Sequence, residues 1–156
     1  MDPRVQVGDF GPAFDGAFVL RNAGARATHD VVRSLIVAWR VLGVHEVVVV
    51  HHTDCRMMAV TERELRDDIA AVVGPDAEEM DFFTFTDAHT SLEEDVHQLE
   101  RSRYLAGHLP VSGFIWDLDA RELEAVVIDP RSQLAPADRP TGDRASSPDG
   151  SAARLR

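Results

Sequence analysis

Val44-His45-Glu46-Val47-Val48-Val49-Val50 runs directly into His51-His52-Thr53-Asp54-Cys55. Four consecutive valines do not alternate with polar residues. That pattern predicts a strand buried on both faces, as parallel strands are when helices cover both sides of the sheet. Upstream, Ala17-Phe18-Val19-Leu20 reads as a short strand that stops at the polar turn Arg21-Asn22-Ala23-Gly24. Between the two lies a helical stripe from about Asp30 to Leu42, with Val31, Val32, Leu35, Ile36, Trp39 and Leu42 as its apolar positions. Thr28 or His29 is placed to cap this helix, and Gly43 sits where a C-terminal glycine belongs. Strand, helix and strand at this spacing make a βαβ unit, so the fold class expected is α/β with a mostly parallel sheet flanked by helices.

Downstream, Thr61-Glu62-Arg63-Glu64 is a capping-box pattern opening a helix to about Val73, with Gly74-Pro75 as its stop. Ser91-Leu92-Glu93-Glu94 repeats the pattern and predicts a helix to about Tyr104, with Leu92, Val96 and Leu99 on one face. Val111 to Leu118 and Glu122 to Ile128 read as two strands joined by a short gap, hence a C-terminal antiparallel hairpin. From Pro130 onward the chain is rich in Pro, Ser, Gly, Asp and Arg, which predicts a disordered tail over 130–156 after a single domain over 1–129.

The 156 residues fit one domain, and a hydrophobic share of 44% with only 6% aromatics implies an aliphatic core. The net charge of −11 repels phosphate backbones, which argues against nucleic acid as a partner. No run of about 18 apolar residues is present, so no membrane association is expected. The opening residues lack the charged-then-apolar pattern of a signal peptide, and the expected location is cytoplasmic. A single cysteine, Cys55, excludes an internal disulfide and leaves three roles for it: buried apolar residue, nucleophile or metal ligand.

Ligands of open α/β sheets collect beyond the carboxyl ends of parallel strands. There, His52 and Cys55 form H-x-x-C, and an imidazole and a thiolate three residues apart can turn onto one ion, a donor pair that suits zinc. On spacing alone the opposite reading stands beside it: Cys55 as a small core residue and His52 as a satisfied strand-end histidine. Asp2 and Arg4 make a second pair, since the planar guanidinium fork holds carboxylates well. The plain alternative is a solvated terminus. His29, His45, His89, His97 and His108 show no ligand-like spacing and read as surface or structural residues.

In order and spacing these pieces resemble the beta-class carbonic anhydrase family. That family carries Cys-x-Asp-x-Arg at the end of its first strand, then Arg-Asn-Ala-Gly, then a helix beginning near Ser-Leu, then a valine-rich strand ending in His-x-x-Cys-Gly. Here the matching residues are Asp2-Pro3-Arg4, Arg21 to Gly24, Ser34-Leu35, Val47 to Val50, and His52-Thr53-Asp54-Cys55. Gly113-Phe114-Ile115-Trp116-Asp117 with Glu122-Leu123 resembles the late hairpin, so the resemblance spans Met1 to about Ile128. The paired histidines are similar to those of an actinobacterial-type branch. The resemblance implies zinc as cofactor, with His52 and Cys55 as ligands and Asp2 and Arg4 as a catalytic dyad. It also implies reversible hydration of carbon dioxide to bicarbonate through zinc-bound hydroxide, made available because zinc lowers the pKa of its water from ~15.7 toward ~7. Asp2 would orient the hydroxide or, in a closed state, bind zinc itself as a metal ligand, and Arg4 would hold it away in the active state. A homodimer is implied as well.

Two departures from the pattern set further expectations. The family's first cysteine ligand falls just before Met1, which leads to the expectation that the true start lies upstream, within a Cys-Met-Asp-Pro-Arg segment. Loss of the strand carrying it would leave neighbouring strand edges unpaired and a groove in the core. Arg56 stands where the family has glycine, and a bulky cation there is expected to need a different backbone conformation. These departures favour a rival reading: a catalytically impaired relative without a complete zinc site, acting through binding, bicarbonate sensing or dimerisation. A third reading is a thiol enzyme with Cys55 as nucleophile and His51 or His52 as base.

Overall fold

A computed structural model describes residues 1–74 and 80–128. Helix α1 spans His29–Leu42, strand β1 Val47–His52, helix α2 Glu62–Val73, helix α3 Ala88–Glu100, strand β2 Val111–Asp117 and strand β3 Glu122–Val126. Short 3-10 turns at Val7–Phe10, Pro12–Phe14, Ala23–Ala25 and Arg56–Met58 shape the connections. The tail expected over 130–156 and the stop at Pro75 lie outside the described residues.

The valine run forms the parallel strand expected of it. β1 pairs with β2 in parallel from Val47↔Val111 to His52↔Trp116, and β2 pairs with β3 antiparallel from Gly113↔Val126 to Asp117↔Glu122. The sheet is therefore mixed, in the order β1-β2-β3. The burial expected on both faces is corrected: the strand alternates, with Val47, Val49 and His51 buried and Val48, Val50 and His52 half-buried. The buried face meets α3, whose Leu92, Val96 and Leu99 are fully enclosed. Gly113 permits the contact, because a Cβ there would stand 3.2 Å from both Leu92 and Val96. The other face is covered by the N-terminal turns. Phe10 packs at 5.0 Å from Trp116, and Phe14 at 6.4 Å from Phe114. α1 contributes Leu35 to the core, with Val31, Val32, Ile36 and Trp39 packed against it.

Two further expectations are corrected. Ala17 to Leu20 is not a strand, and Phe18, Val19 and Leu20 are exposed. A strand exists only with a partner to take its backbone groups, and none pairs with this segment among the described residues. β1 likewise has a paired neighbour on one edge only. Ser91 does not cap α3. The helix begins three residues earlier, with Asp87 at the N-cap accepting from Thr90 N at 2.7 Å, and it ends at Glu100 rather than Tyr104. Arg56 opens the 3-10 turn Arg56–Met58, and the left-handed residue of that loop is Asp54, at φ 50°.

Thr28 stands at the N-cap of α1 without a side-chain capping bond, while other local signals match. Thr61 and Glu64 form a reciprocal capping box on α2, and Gly43 closes α1 in the left-handed conformation. The hairpin loop is tied by Asp117 Oδ1, which accepts from Asp119 N and Ala120 N.

Candidate metal centre

The carboxyl end of β1 is held to that of β2. Thr53 N donates to Trp116 O at 3.0 Å, and Thr53 Oγ1 accepts from Leu118 N at 3.0 Å. Strand alternation sends His51 and His52 to opposite faces. His52 Nδ1 lies 2.8 Å from Thr53 O. A carbonyl only accepts, so Nδ1 carries a proton and Nε2 is the ring nitrogen left for a metal, the arrangement found behind metal-binding imidazoles. Cys55 stands within hydrogen-bonding reach of His52, and that bond is the main cause of a raised His52 pKa. Burial pushes the Cys55 thiol up, but the His52 bond and the Met57 backbone N–H outweigh it and bring it below its usual value, favouring thiolate.

The N-terminal pair arrives at the same place. Asp2 Oδ2 lies 3.9 Å from His52 Nε2. Arg4 donates to Asp2 from its backbone N at 2.9 Å, from Nε at 3.0 Å and from a terminal nitrogen at 2.7 Å. These bonds hold the Asp2 carboxyl well below the ordinary carboxylate range and raise Arg4 further above its own. Arg21 positions the segment from behind, donating to Asp2 O at 2.6 Å and Val5 O at 2.8 Å. The four residues singled out from the sequence, Asp2, Arg4, His52 and Cys55, are thus brought to one loop cluster.

An imidazole whose Nδ1 is tied to a carbonyl, beside a thiol biased to thiolate, is a donor pair that fits a zinc-like ion once Nε2 is deprotonated. It supplies two of the four positions such an ion takes, with the Asp2 carboxylate alongside. Among the described residues no group of three His, Cys, Asp or Glu side chains stands arranged to hold a metal.

Two features had no signal in the sequence. Asp54, inside the motif, reaches Arg4 at 2.7 Å. On the opposite face of β1, His51 Nε2 lies 3.2 Å from Asp95 Oδ2. Asp95 also accepts from Ala27 N at 2.8 Å and sits 3.4 Å from Arg26 Nε. Arg26 further bonds Ser91 and Glu94. His51 is thereby committed to a buried structural pair, remote from Cys55 in orientation. His29, His45, His89 and His108 are exposed, and His97 is buried beside Glu100. A pocket lined by Thr84, Phe85, Thr86, Asp87, Thr90, Ser91 and Glu94 contains none of the four candidate residues.

The model of the family described as carbonic anhydrase matches residues 1–119. The chain is 30% identical to beta-carbonic anhydrase 1 of Mycobacterium tuberculosis over 116 residues, covering 70% of this chain and 67% of that protein. It is 27% identical over 143 residues to a carbon disulfide hydrolase of Acidithiobacillus thiooxidans, covering 79% and 72% of the two chains. Among solved structures, the carbonic anhydrase of Streptococcus mutans superposes with a TM-score of 0.73 at 37% identity, covering 81% of this chain and 77% of that one. With the mixed sheet, the strand-end histidine and cysteine and the matched sequence in agreement, the chain belongs to the beta-carbonic anhydrase family.

Proposed function

We propose that the chain is a zinc-dependent carbonic anhydrase that hydrates carbon dioxide reversibly to bicarbonate. The observation that carries the reading is the convergence of His52, Cys55 and the Asp2–Arg4 pair at the carboxyl end of β1. His52 and Cys55 hold the metal, with Asp2 as the third donor or as acceptor for the attacking water. Zinc, when bound, supplies the Lewis acidity that makes a water nucleophilic near neutral pH. The Thr53 carbonyl fixes the His52 tautomer. Asp2, kept ionised by Arg4, accepts a hydrogen bond from the reacting water and so orients its lone pair. Arg4 restrains that carboxylate.

The test is stopped-flow carbon dioxide hydration by the zinc-loaded protein, with carbon disulfide as a parallel substrate because a relative bears that name. Hydration that disappears in His52→Ala supports the reading. Turnover of carbon disulfide alone would replace the substrate while keeping the site.

A second reading has one observation in its favour: among the described residues, no three side chains form a ready metal site. On that reading the protein is a binding or dimerisation module. It requires a folded chain that takes up no zinc and hydrates no carbon dioxide. Homodimerisation is compatible with both readings and is supported by the exposed Phe18, Val19, Leu20, Val37 and Val41. Its check is a native mass of twice 17.2 kDa.

A further inference from the structure

Arg4 spends its donors in two directions. Nε and one terminal nitrogen serve the Asp2 carboxylate. That same terminal nitrogen also donates to Asp54 O at 3.0 Å, and the other donates to Asp54 Oδ2 at 2.7 Å. The guanidinium is therefore gripped along both edges, by carboxylates 52 positions apart in the chain. Asp54 manages this because its backbone is left-handed, at φ 50°, a conformation that aspartate tolerates better than most residues. One residue thus offers a carboxylate and a carbonyl to the same fork. Arg4 is otherwise a long side chain with 44% of its surface exposed, and Asp54 is more open still. An exposed pair of this kind adds little to stability. What it fixes is orientation, since a planar fork held at both edges cannot swing.

We infer that Asp54 is a positioning residue. It anchors the outer edge of Arg4 on the loop between His52 and Cys55, and so sets the Asp2 carboxylate beside His52. The consequence for catalysis rests on the reading given under Proposed function; the anchor itself does not. Without Asp54 the guanidinium keeps its bonds to Asp2 but loses its anchor on the β1 loop, so the Asp2–Arg4 pair can swing as a unit relative to His52.

The first test needs no metal. Full-length, metal-free protein is treated with phenylglyoxal, and modification of each arginine is followed by peptide mass mapping in the wild type, Asp54→Ala and Asp54→Asn. Arg4 is expected to react severalfold faster in Asp54→Ala and at an intermediate rate in Asp54→Asn, which keeps an acceptor oxygen but loses the charge. Arg33 and Arg63, exposed elsewhere, should keep their wild-type rates and report that the fold is intact. If Asp54→Ala misfolds, the Asp54→Asn comparison decides alone. An Arg4 rate unchanged by either substitution overturns the inference.

The second test uses zinc-loaded protein. Turnover of carbon dioxide per bound zinc is expected to fall severalfold in Asp54→Ala with KM and zinc content unchanged, and Asp54→Asn should recover part of the loss. Wild-type turnover despite a freed Arg4 overturns the positioning role. A wild type that hydrates no carbon dioxide would sink the proposed function, while the labelling result would still decide the anchor.

Discussion

The Nε2 of His51 lies 3.2 Å from Oδ2 of Asp95, and both side chains are at least 98% buried. The two atoms are close without a well-aligned hydrogen bond, and Asp95 answers Ala27 N and Arg26 as well. A single carboxylate therefore joins α3, the end of β1 and the segment that follows the Arg21 to Gly24 turn. Removing Asp95 leaves the buried Ala27 N–H and the His51 ring without an acceptor while Arg26 keeps Glu94, at a cost of about 1–3 kcal/mol for an unsatisfied buried group. Asp95→Ala is expected to destabilise the protein by that order, measured by urea unfolding. A loss below about 1 kcal/mol, the scale of an ordinary surface contact, would contradict the account.

Gly24 is held at φ 70°, and a Cβ there would stand 2.9 Å from Cε1 of Phe85. Phe85 has little freedom to move, since His51 packs on its ring at 5.6 Å and Arg26 lies over it at 5.7 Å. Gly24→Ala combines a left-handed backbone with a clash, so a loss of about 1–3 kcal/mol is expected. Because Arg21 grips Asp2 O from the same turn, metal affinity should weaken along with the melting temperature. A neutral substitution would show that the turn does not constrain the site.

Glu62 predicts an acid limb of stability. Burial raises its pKa, but Phe82 N, Thr84 N and Arg66 hold it lower than an ordinary glutamate overall. A carboxyl whose folded pKa is depressed contributes stability that is present above its unfolded pKa and lost as pH falls through the folded value. With an unfolded value of about 4.3, the melting temperature of the wild type should fall below about pH 5. Glu62→Gln should be less stable at neutral pH and show a shallower acid slope. Parallel slopes would remove Glu62 as a cause.

The sequence carried the elements whose signals are local or periodic. The valine strand, the α1 stripe, the Thr61–Glu64 box and the late hairpin could all be read before the fold was seen. Ala17 to Leu20 misled because apolar content specifies a strand only where a neighbouring ladder receives it. Ser91 misled because a serine three residues before a glutamate occurs inside helices too, where its hydroxyl here meets Arg26 instead of the backbone. Of the candidate site, spacing offered His52 and Cys55 only as one of two readings, and the resemblance selected that reading and added Asp2 and Arg4. Asp54 and Asp95 were not, because their partners stand 50 and 68 positions away in the chain and no local pattern records such pairings.

The central claim is that His52 and Cys55 hold zinc. The most direct measurement is zinc per chain, by elemental analysis of protein purified without chelators or a histidine tag, alongside His52→Ala and Cys55→Ser. The account predicts about one zinc per chain in the wild type, lost in both variants while their folds persist. A folded wild-type chain without zinc, even after incubation with the metal, would contradict it.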